Sequence, residues 1–147
     1  MKSGTYLGFD YGKKHIGVAV GGEETRMAHA LTTVASHHDQ PDWEHIGRLI
    51  QEWQPCALVV GLPLNMDDTE NPMTQAAKKF GNRLQGRYNL PVHMVDERLT
   101  SVTAKNTLLQ AGVPYKRRLS KIDKLAAQTL LQAFLDERET RHAPNDH

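Results

Sequence analysis

Four acidic residues stand where a carboxylate could take part in chemistry. Asp10 ends a short apolar run, and Asp96 and Glu97 end a second one. Asp123 lies in a later segment with helical periodicity. Carboxylates that meet in one crevice form an oxygen-rich site of the kind that binds Mg²⁺ together with substrate phosphates. Two such ions roughly 3.5–4 Å apart can activate water for phosphodiester hydrolysis. The acids therefore predict a phosphodiesterase site, provided that the fold brings them together.

Each acid also has a purely structural interpretation. Asp10 could bond its own backbone in the turn that follows it. Asp123 follows Ser120 at the spacing of a capping box, although Glu or Gln is more usual at that position. Asp96 and Glu97 could be solvated acids at a strand end. Because alternation puts these two on opposite faces, we expect only one of them to join Asp10, and the spacing leaves open which one.

Basic residues flank the acids, as a nucleic-acid substrate would require. The 147-residue chain carries a net charge of only +1, so any such evidence must be local. A local cluster of lysines and arginines can hold a phosphate backbone, although such a run is more often a solvated face. The candidate nucleic-acid-binding residues are Lys13, Lys14, Arg98, Lys116, Arg117, Arg118, Lys121 and Lys124.

The elements that must position these residues follow from hydrophobic periodicity. A hairpin is predicted over residues 6–20, because two runs rich in β-formers flank a short glycine-containing link. In its first strand, alternation puts Leu7 and Phe9 on one face and Asp10 on the other, together with Tyr6 and Gly8. Gly8 is expected to leave open space beside Asp10. Further strands are expected at about 26–34, 57–61 and 92–97, with a polar loop at 35–40. Helices are expected to start at Pro41-Asp42 and at Asn71-Pro72. Another is expected from about 100 to 109, and the last one from Ser120, after a basic loop at 112–120.

This order predicts an α/β fold with a five-stranded mixed sheet flanked by helices. Three antiparallel strands come first, and two later strands join in parallel through right-handed crossovers. The functional crevice of such a sheet lies beyond the carboxyl ends of its parallel strands. Asp10, Gly61 and the Asp96-Glu97 pair all stand at such ends. We expect one domain over residues 1–135 and a charged, disordered tail over 136–147.

Composition excludes several classes of protein. Cys56 is the only cysteine, which excludes a disulfide framework and a cysteine-based zinc site. The histidine pair at 37–38 has no further ligands at useful spacing, which favours a solvated loop. The chain shows neither the apolar core of a signal peptide nor an apolar run of transmembrane length. We therefore expect a cytoplasmic protein without a membrane partner.

Four blocks of the sequence resemble the signature of the YqgF/RuvX family, the pre-16S rRNA nucleases. The blocks are Phe9–Val20, Gly61–Pro63, Asp96–Thr100 and Asp123–Ala127, in the family's order. The resemblance covers about residues 6–135. It implies a ribonuclease H-like fold, similar to Holliday-junction resolvases of the RuvC type. It also implies Asp10, Glu97 and Asp123 as the catalytic acids, holding Mg²⁺ or Mn²⁺, with two ions expected. The choice of Glu97 over Asp96 comes from this resemblance.

The resemblance further implies a hydrolase that matures the 5′ end of pre-16S rRNA in ribosome biogenesis. Pre-16S rRNA is then the expected partner, with the pre-ribosomal particle as a further candidate. Two alternatives stay open, namely a DNA-junction resolvase and a non-catalytic RNA-binding assembly factor. Cutting a junction symmetrically would favour a dimer, but no sequence feature indicates an interface. An actin-like phosphotransferase is disfavoured, because 147 residues leave no room for its second domain.

Overall fold

The computed structural model of the chain describes residues 4–37, 40–65, 67, 69–96 and 115–142, and within the last range the side chains from 124 to 138. A mixed sheet forms the centre of the described fold. Its strands are β1 (Thr5–Asp10), β2 (His15–Gly22), β3 (Ala28–His37), β4 (Gln40–Pro41), β5 (Ala57–Leu62) and β6 (Val92–Asp96). The spatial order is β4-β3-β2-β1-β5-β6. Strands β1 to β4 pair antiparallel, while β5 pairs parallel with β1 and β6 parallel with β5. The predicted mixed topology is confirmed, with six strands in place of five.

The additional strand arises where the sequence indicated a polar loop at 35–40. Strand β3 continues to His37, and Ser36 and His37 pair with the short β4. The backbone of this stretch is bonded on both sides, because Ser36 N donates to Lys14 O (3.0 Å) and Asp42 N donates to Ala35 O (3.0 Å). These tertiary hydrogen bonds hold polar residues in extended conformation. The loop prediction was therefore wrong over 35–37 and at 40, and residues 38 and 39 lie outside the described part.

Two of the three described helices begin as their capping residues predict. Helix α1 (Trp43–Trp53) follows Asp42, whose Oδ1 accepts from His45 N at 3.2 Å. Helix α2 (Pro72–Tyr88) follows Asn71, which forms a reciprocal capping box with Thr74. Side-chain oxygens at this position satisfy backbone N–H groups that have no partner inside the helix. Local sequence was sufficient here because caps act over three or four residues.

Helix α3 (Tyr115–His142) is longer than predicted at both ends. Lys116, Arg117 and Arg118 were expected in a loop, but they lie in its first turns, as suits good helix formers. Ser120 is therefore inside the helix, so the capping-box interpretation of Asp123 was wrong. The helix also continues past residue 135, where a tail was expected. There the Asp136 carboxylate accepts from Gln132 Nε2 at 3.1 Å. The helix predicted at 100–109 and residues 143–147 lie outside the described residues.

The sheet separates two apolar layers. Leu7 and Phe9 of β1 belong to the layer beneath α1 and α2, whereas Tyr6 belongs to the layer beneath α3. This alternation was predicted from the sequence. The described helices include none that is long and apolar enough to span a membrane.

Gly8 sets the distance between β1 and α3. The sequence suggested that this glycine leaves open space beside Asp10, but α3 occupies that space. A Cβ added to Gly8 would lie 3.0 Å from Leu131 Cβ and 3.5 Å from Ala127 O. The absence of a side chain therefore lets the helix backbone approach the strand.

Gly8→Ala should destabilise the protein by about 1–3 kcal/mol, because the added methyl group meets a Cβ that cannot move without its helix. Urea unfolding followed by circular dichroism measures the change. Gly86→Ala is the matched control, since a Cβ there meets nothing within 4 Å on helix α2. We expect the control to be stabilising by about 0.5–1 kcal/mol, through helix propensity. Equal effects of the two substitutions would contradict the close-packing role of Gly8.

Candidate active site

Asp10 lies at the edge of the sheet where the parallel strands end. It is the last residue of β1, it is half-buried, and it pairs with Gly17 of β2. Phe9 pairs with Val60 of β5, so the next position brings Asp10 beside Gly61. On the outer side of β5, Leu62 pairs with Asp96. The expected meeting of Asp10, Gly61 and the end of β6 at one edge is confirmed.

Asp96 does not share a face with Asp10. Met94 and Val92 of β6 face α2, since a Cβ on Gly81 would lie 3.2 Å from Met94 Sδ and 3.4 Å from Val92 Cγ1. The period of two along a strand puts Asp96 on this same face. Asp10 shares its face with Tyr6, beneath α3. Glu97 lies outside the described residues.

Helix α3 runs antiparallel to β1, in a register fixed by a series of contacts. The guanidinium of Arg138 lies 5.7 Å from the Tyr6 ring centroid, and the rings of Phe134 and Tyr6 are 5.2 Å apart. Further along, Leu131 and Ala127 meet Gly8. Four residues of helix rise about 6 Å, and two residues of strand cover ~7 Å. Each turn of α3 therefore advances by about the same distance as two residues of β1.

This register carries the start of α3 towards the end of β1. One turn of helix before Ala127 is Asp123, and two strand residues after Gly8 is Asp10. The backbone of Asp123 therefore reaches the level of Asp10, which sequence spacing alone could not establish. Its side chain is outside the described part of the chain.

Two glutamines that the sequence interpretation missed hold α3 to the sheet. Gln132 Oε1 accepts from Ala28 N at 2.9 Å, and its Nε2 donates to Arg26 O at 2.8 Å. Gln128 Nε2 donates to Ala28 O at 3.0 Å. Together they bond both backbone groups of a buried residue. The one signal in the sequence is a pair of amides four residues apart, beside the apolar stripe of α3.

A polar cluster holds the C-terminal part of α3 to the sheet. The Tyr6 hydroxyl donates to Glu23 Oε1 at 2.6 Å, and Arg138 Nη2 lies 3.1 Å from the same oxygen. Burial, with the bond to Glu23, raises the pKa of the Tyr6 phenol, so it remains a neutral donor. Burial also lowers the pKa of His93, whose ring packs 5.2 Å from that of Phe134. Both residues are therefore uncharged at neutral pH.

Lys13 and Lys14 extend from the link between β1 and β2, directly after Asp10, and both are exposed. The link is held on both sides. Tyr11 is buried with its ring 5.0 Å from that of Phe80. A Cβ on Gly12 would lie 2.5 Å from His15 O, so only glycine fits there. The backbone that carries the two lysines is thus held next to the strand-end carboxylate, and their contact with phosphate stays a prediction.

The other predicted basic residues are less fully described. Lys124 is half-buried on α3, one residue after Asp123. Arg98 lies outside the described residues. Four further basic residues have a helical backbone, but their side chains are outside the described part. The four are Lys116, Arg117, Arg118 and Lys121.

The loop after β5 borders the same edge. The Thr74 hydroxyl donates to Pro63 O and so ties the Gly61–Pro63 block to the start of α2. Asn65 Nδ2 donates to Thr69 Oγ1 at 2.9 Å, and Asn71 Nδ2 donates to Asn65 Oδ1 at 2.9 Å. These bonds link Asn65 to Thr69 and to Asn71, next to the start of α2.

The described side chains include no group of three or more His, Cys, Asp or Glu that could hold a metal ion. Two of the three predicted ligands, Glu97 and Asp123, are outside that set. The complete ligand set therefore stays a prediction.

The fold is that of the ribonuclease H-like resolvases. RuvC of Thermus thermophilus, in complex with a Holliday junction substrate, superposes with a TM-score of 0.54 at 19% identity, over 92% of this chain and 96% of that one. The Fowlpox virus resolvase with Holliday junction DNA gives 0.55 at 13% identity, over 91% and 98%.

Sequence comparison assigns the family. The model of the RuvX family, described as Holliday junction resolvase, matches residues 4–137, and the chain belongs to this family. A Nitrosococcus oceani protein named "Putative pre-16S rRNA nuclease" is 51% identical, over 92% of this chain and 90% of that protein. A protein of the same name from Nitrosomonas europaea is 46% identical, over 91% and 90%.

Gln132→Ala should cost about 1–3 kcal/mol of stability, because the part-buried Ala28 N–H loses its acceptor. Hydrogen exchange should also speed up at the Ala28 amide, which NMR measures residue by residue. Gln51→Ala, on the exposed face of α1, is the control and should change neither quantity. Unchanged protection at Ala28 would show that the glutamine does not hold the helix to the strand.

Proposed function

We propose that this chain is a metal-dependent nuclease that hydrolyses phosphodiester bonds in the 5′ precursor segment of 16S rRNA. The observation that carries the proposal is the register of α3 on β1, which brings the backbone of Asp123 to the level of Asp10. The names of the relatives supply the substrate.

The face on which Asp96 lies supports the choice of Glu97 as the third acid. Asp96 lies on the α2 face, away from Asp10, and is therefore unsuited to join it. This argument is independent of the family pattern, which gives the same choice.

Such a set of acids would fit hard divalent cations. All its donors are carboxylate oxygens, which Mg²⁺ and Mn²⁺ prefer, and Asp10 is only half-buried, so part of it faces solvent. When bound, the ions would supply Lewis-acid stabilisation and a more acidic water. We assign Asp10, Glu97 and Asp123 to holding them. No protein nucleophile is needed.

The lysines bind and orient the substrate in this proposal. Lys13 and Lys14 neutralise backbone phosphates next to the carboxylates, which fixes the register of the nucleic acid without reading its sequence. We assign the same role to Lys124 and to the basic residues in the first turns of α3. Recruitment to the pre-ribosomal particle and action in the cytoplasm belong to the same proposal.

A DNA-junction resolvase is the second candidate. The description of the family model and the junction-bound structural neighbours favour it. The neighbours are under 20% identical and establish the fold alone. The relatives at about 50% identity are named for rRNA, and we give their substrate precedence.

Asp10→Asn, Glu97→Gln and Asp123→Asn should each lower Mg²⁺-dependent RNA cleavage by at least about 100-fold. Even outer-shell partners of metal ligands cost 10–100-fold, so a direct ligand should cost no less. The assay uses a labelled RNA that spans the 16S 5′ precursor, beside a four-way DNA junction, with Mg²⁺, with Mn²⁺ and with chelator.

Asp96→Asn is the matched control, because it removes a neighbouring carboxylate on the other face and should leave cleavage within about threefold of wild type. Cutting of the DNA junction alone would move the function to recombination. Absence of cleavage of either substrate, with RNA binding unchanged in all variants, would make the chain a binding factor and contradict the nuclease proposal.

Replacing Lys13 and Lys14 together by Gln should weaken RNA binding uniformly across sequences. Each lost phosphate contact should reduce the slope of log K against log salt by about 1. Fluorescence anisotropy at several salt concentrations measures both effects. Arg48→Gln is the control, since Arg48 lies on α1 in an exposed ion pair with Glu44. An unchanged salt slope in the double variant would remove the lysines from the interface.

A further inference from the structure

A second concave surface lies at the opposite end of the sheet from Asp10, where β1 begins and β2 ends. We call it the lower cleft, and its volume is about 660 Å³. The wall is formed by the starts of β1 and β3, the end of β2 with the turn after it, and the last turn of α1. The side chains that line it include Val20, Met27, Leu31, Trp53, Glu24 and Glu52.

Apolar side chains line much of the lower cleft. Val20 is part of the core layer beneath α1, and Leu31 and Trp53 pack against that layer. Met27 stands at the rim with 53% of its surface exposed. A concave apolar surface of this size is suited to one or two apolar side chains of a ligand.

Carboxylates give the rim a negative charge. Glu24 and Glu52 both line the lower cleft and are exposed, and no hydrogen bond or ion pair of either is seen among the described residues. The neighbouring Glu23 differs, because Arg138 and Tyr6 satisfy it. Two uncompensated negative charges would repel a phosphate backbone, so this end of the sheet is unsuited to nucleic acid. The lysines lie at the other end, beside Asp10.

We propose that the lower cleft binds a basic segment of a partner protein. In this segment an apolar side chain enters the cleft between Val20, Leu31 and Trp53. Lysine or arginine residues on either side pair with Glu24 and Glu52. Apolar contact supplies the affinity, and the opposite charges supply selectivity and a faster encounter. This inference does not depend on the nuclease proposal, and it would let the chain hold a protein partner while nucleic acid occupies the other end.

The test is NMR titration of the full ¹⁵N-labelled chain with the peptide acetyl-Arg-Leu-Arg-Leu-Arg-amide. We expect shift changes confined to the lower cleft, at the amides of Gly21, Gly22 and Met27 and the indole N–H of Trp53. Two comparison peptides separate the contribution of charge from that of apolar contact. One has Glu in place of Arg, and the other has Ser in place of Leu. Both should bind at least about tenfold more weakly, since each lacks half of the recognition.

A paired substitution, Glu24→Lys with Glu52→Lys, should weaken the first peptide about tenfold, because two exposed attractions become repulsions. Glu44→Lys with Glu137→Lys changes the net charge equally outside the cleft and should leave the affinity unchanged. Thermal unfolding confirms that both variants fold, and RNA cleavage should be unaffected in both.

Three results would each overturn the inference. One is the absence of shifts at the cleft, and another is equal binding of the acidic peptide. The third is a response of the cleft signals to an RNA oligonucleotide, which would assign this surface to nucleic acid.

Discussion

The close contact between α3 and β1 at Gly8 determines how the helix lies along the strand. A Cβ added at Gly8 would lie only 3.0 Å from Leu131 Cβ, so with any side chain at this position the helix would have to move away. The amides of Gln128 and Gln132 fix its rotation, and the Tyr6–Glu23–Arg138 cluster fixes its far part. A helix with three such restraints has little freedom left, so its packing on the sheet also sets the position of its early turns.

That arrangement explains how acids far apart in the sequence could serve one site. The position of Asp10 at the end of β1 is determined by backbone pairing in the sheet. The position of Asp123 relative to the sheet is determined by the packing of α3 side chains. The sheet register contributes the third position, because β6 is aligned to β1 through β5. In the proposed site, where Glu97 is the third acid, a shift of one residue in the register of β6 would bring Asp96 to the face of Asp10 instead. The pairing of Leu62 with Asp96 therefore matters for the proposed chemistry.

Much of the fold could be predicted because its signals are local. The hairpin, the alternation of β1, the caps at Asp42 and Asn71, and the buried strand β5 depend on residues within a few positions of each other. The extension of β3 could not be predicted, because polar residues are held there by hydrogen bonds to Lys14 and Asp42. The early start of α3 was missed because a run of basic residues was interpreted by its charge instead of its helix propensity.

The candidate site, like the fold, could be predicted only where its signals are local. Asp10 and the two lysines after it were located from the sequence, because strand ends are visible in hydrophobic patterns. The expectation of open space at Gly8 was wrong, because a glycine can allow a helix to pack closely just as it can allow a substrate to enter. Gln128 and Gln132 bond backbone about 100 residues away, and such contacts leave no trace in local periodicity.

Paramagnetic relaxation by Mn²⁺ tests the central claim, that the register of α3 on β1 assembles one cation site from β1, β6 and α3. Substoichiometric Mn²⁺ added to the ¹⁵N-labelled chain should broaden the amide signals of Tyr11, Gly61 and Lys124 together, before those of Gly22 and Trp53 at the far end. The broadening should disappear in Asp10→Asn and persist in Asp96→Asn. Broadening that ignores Asp10, or that reaches Tyr11 and Gly61 without Lys124, would contradict the claim, because α3 would then not contribute to the site.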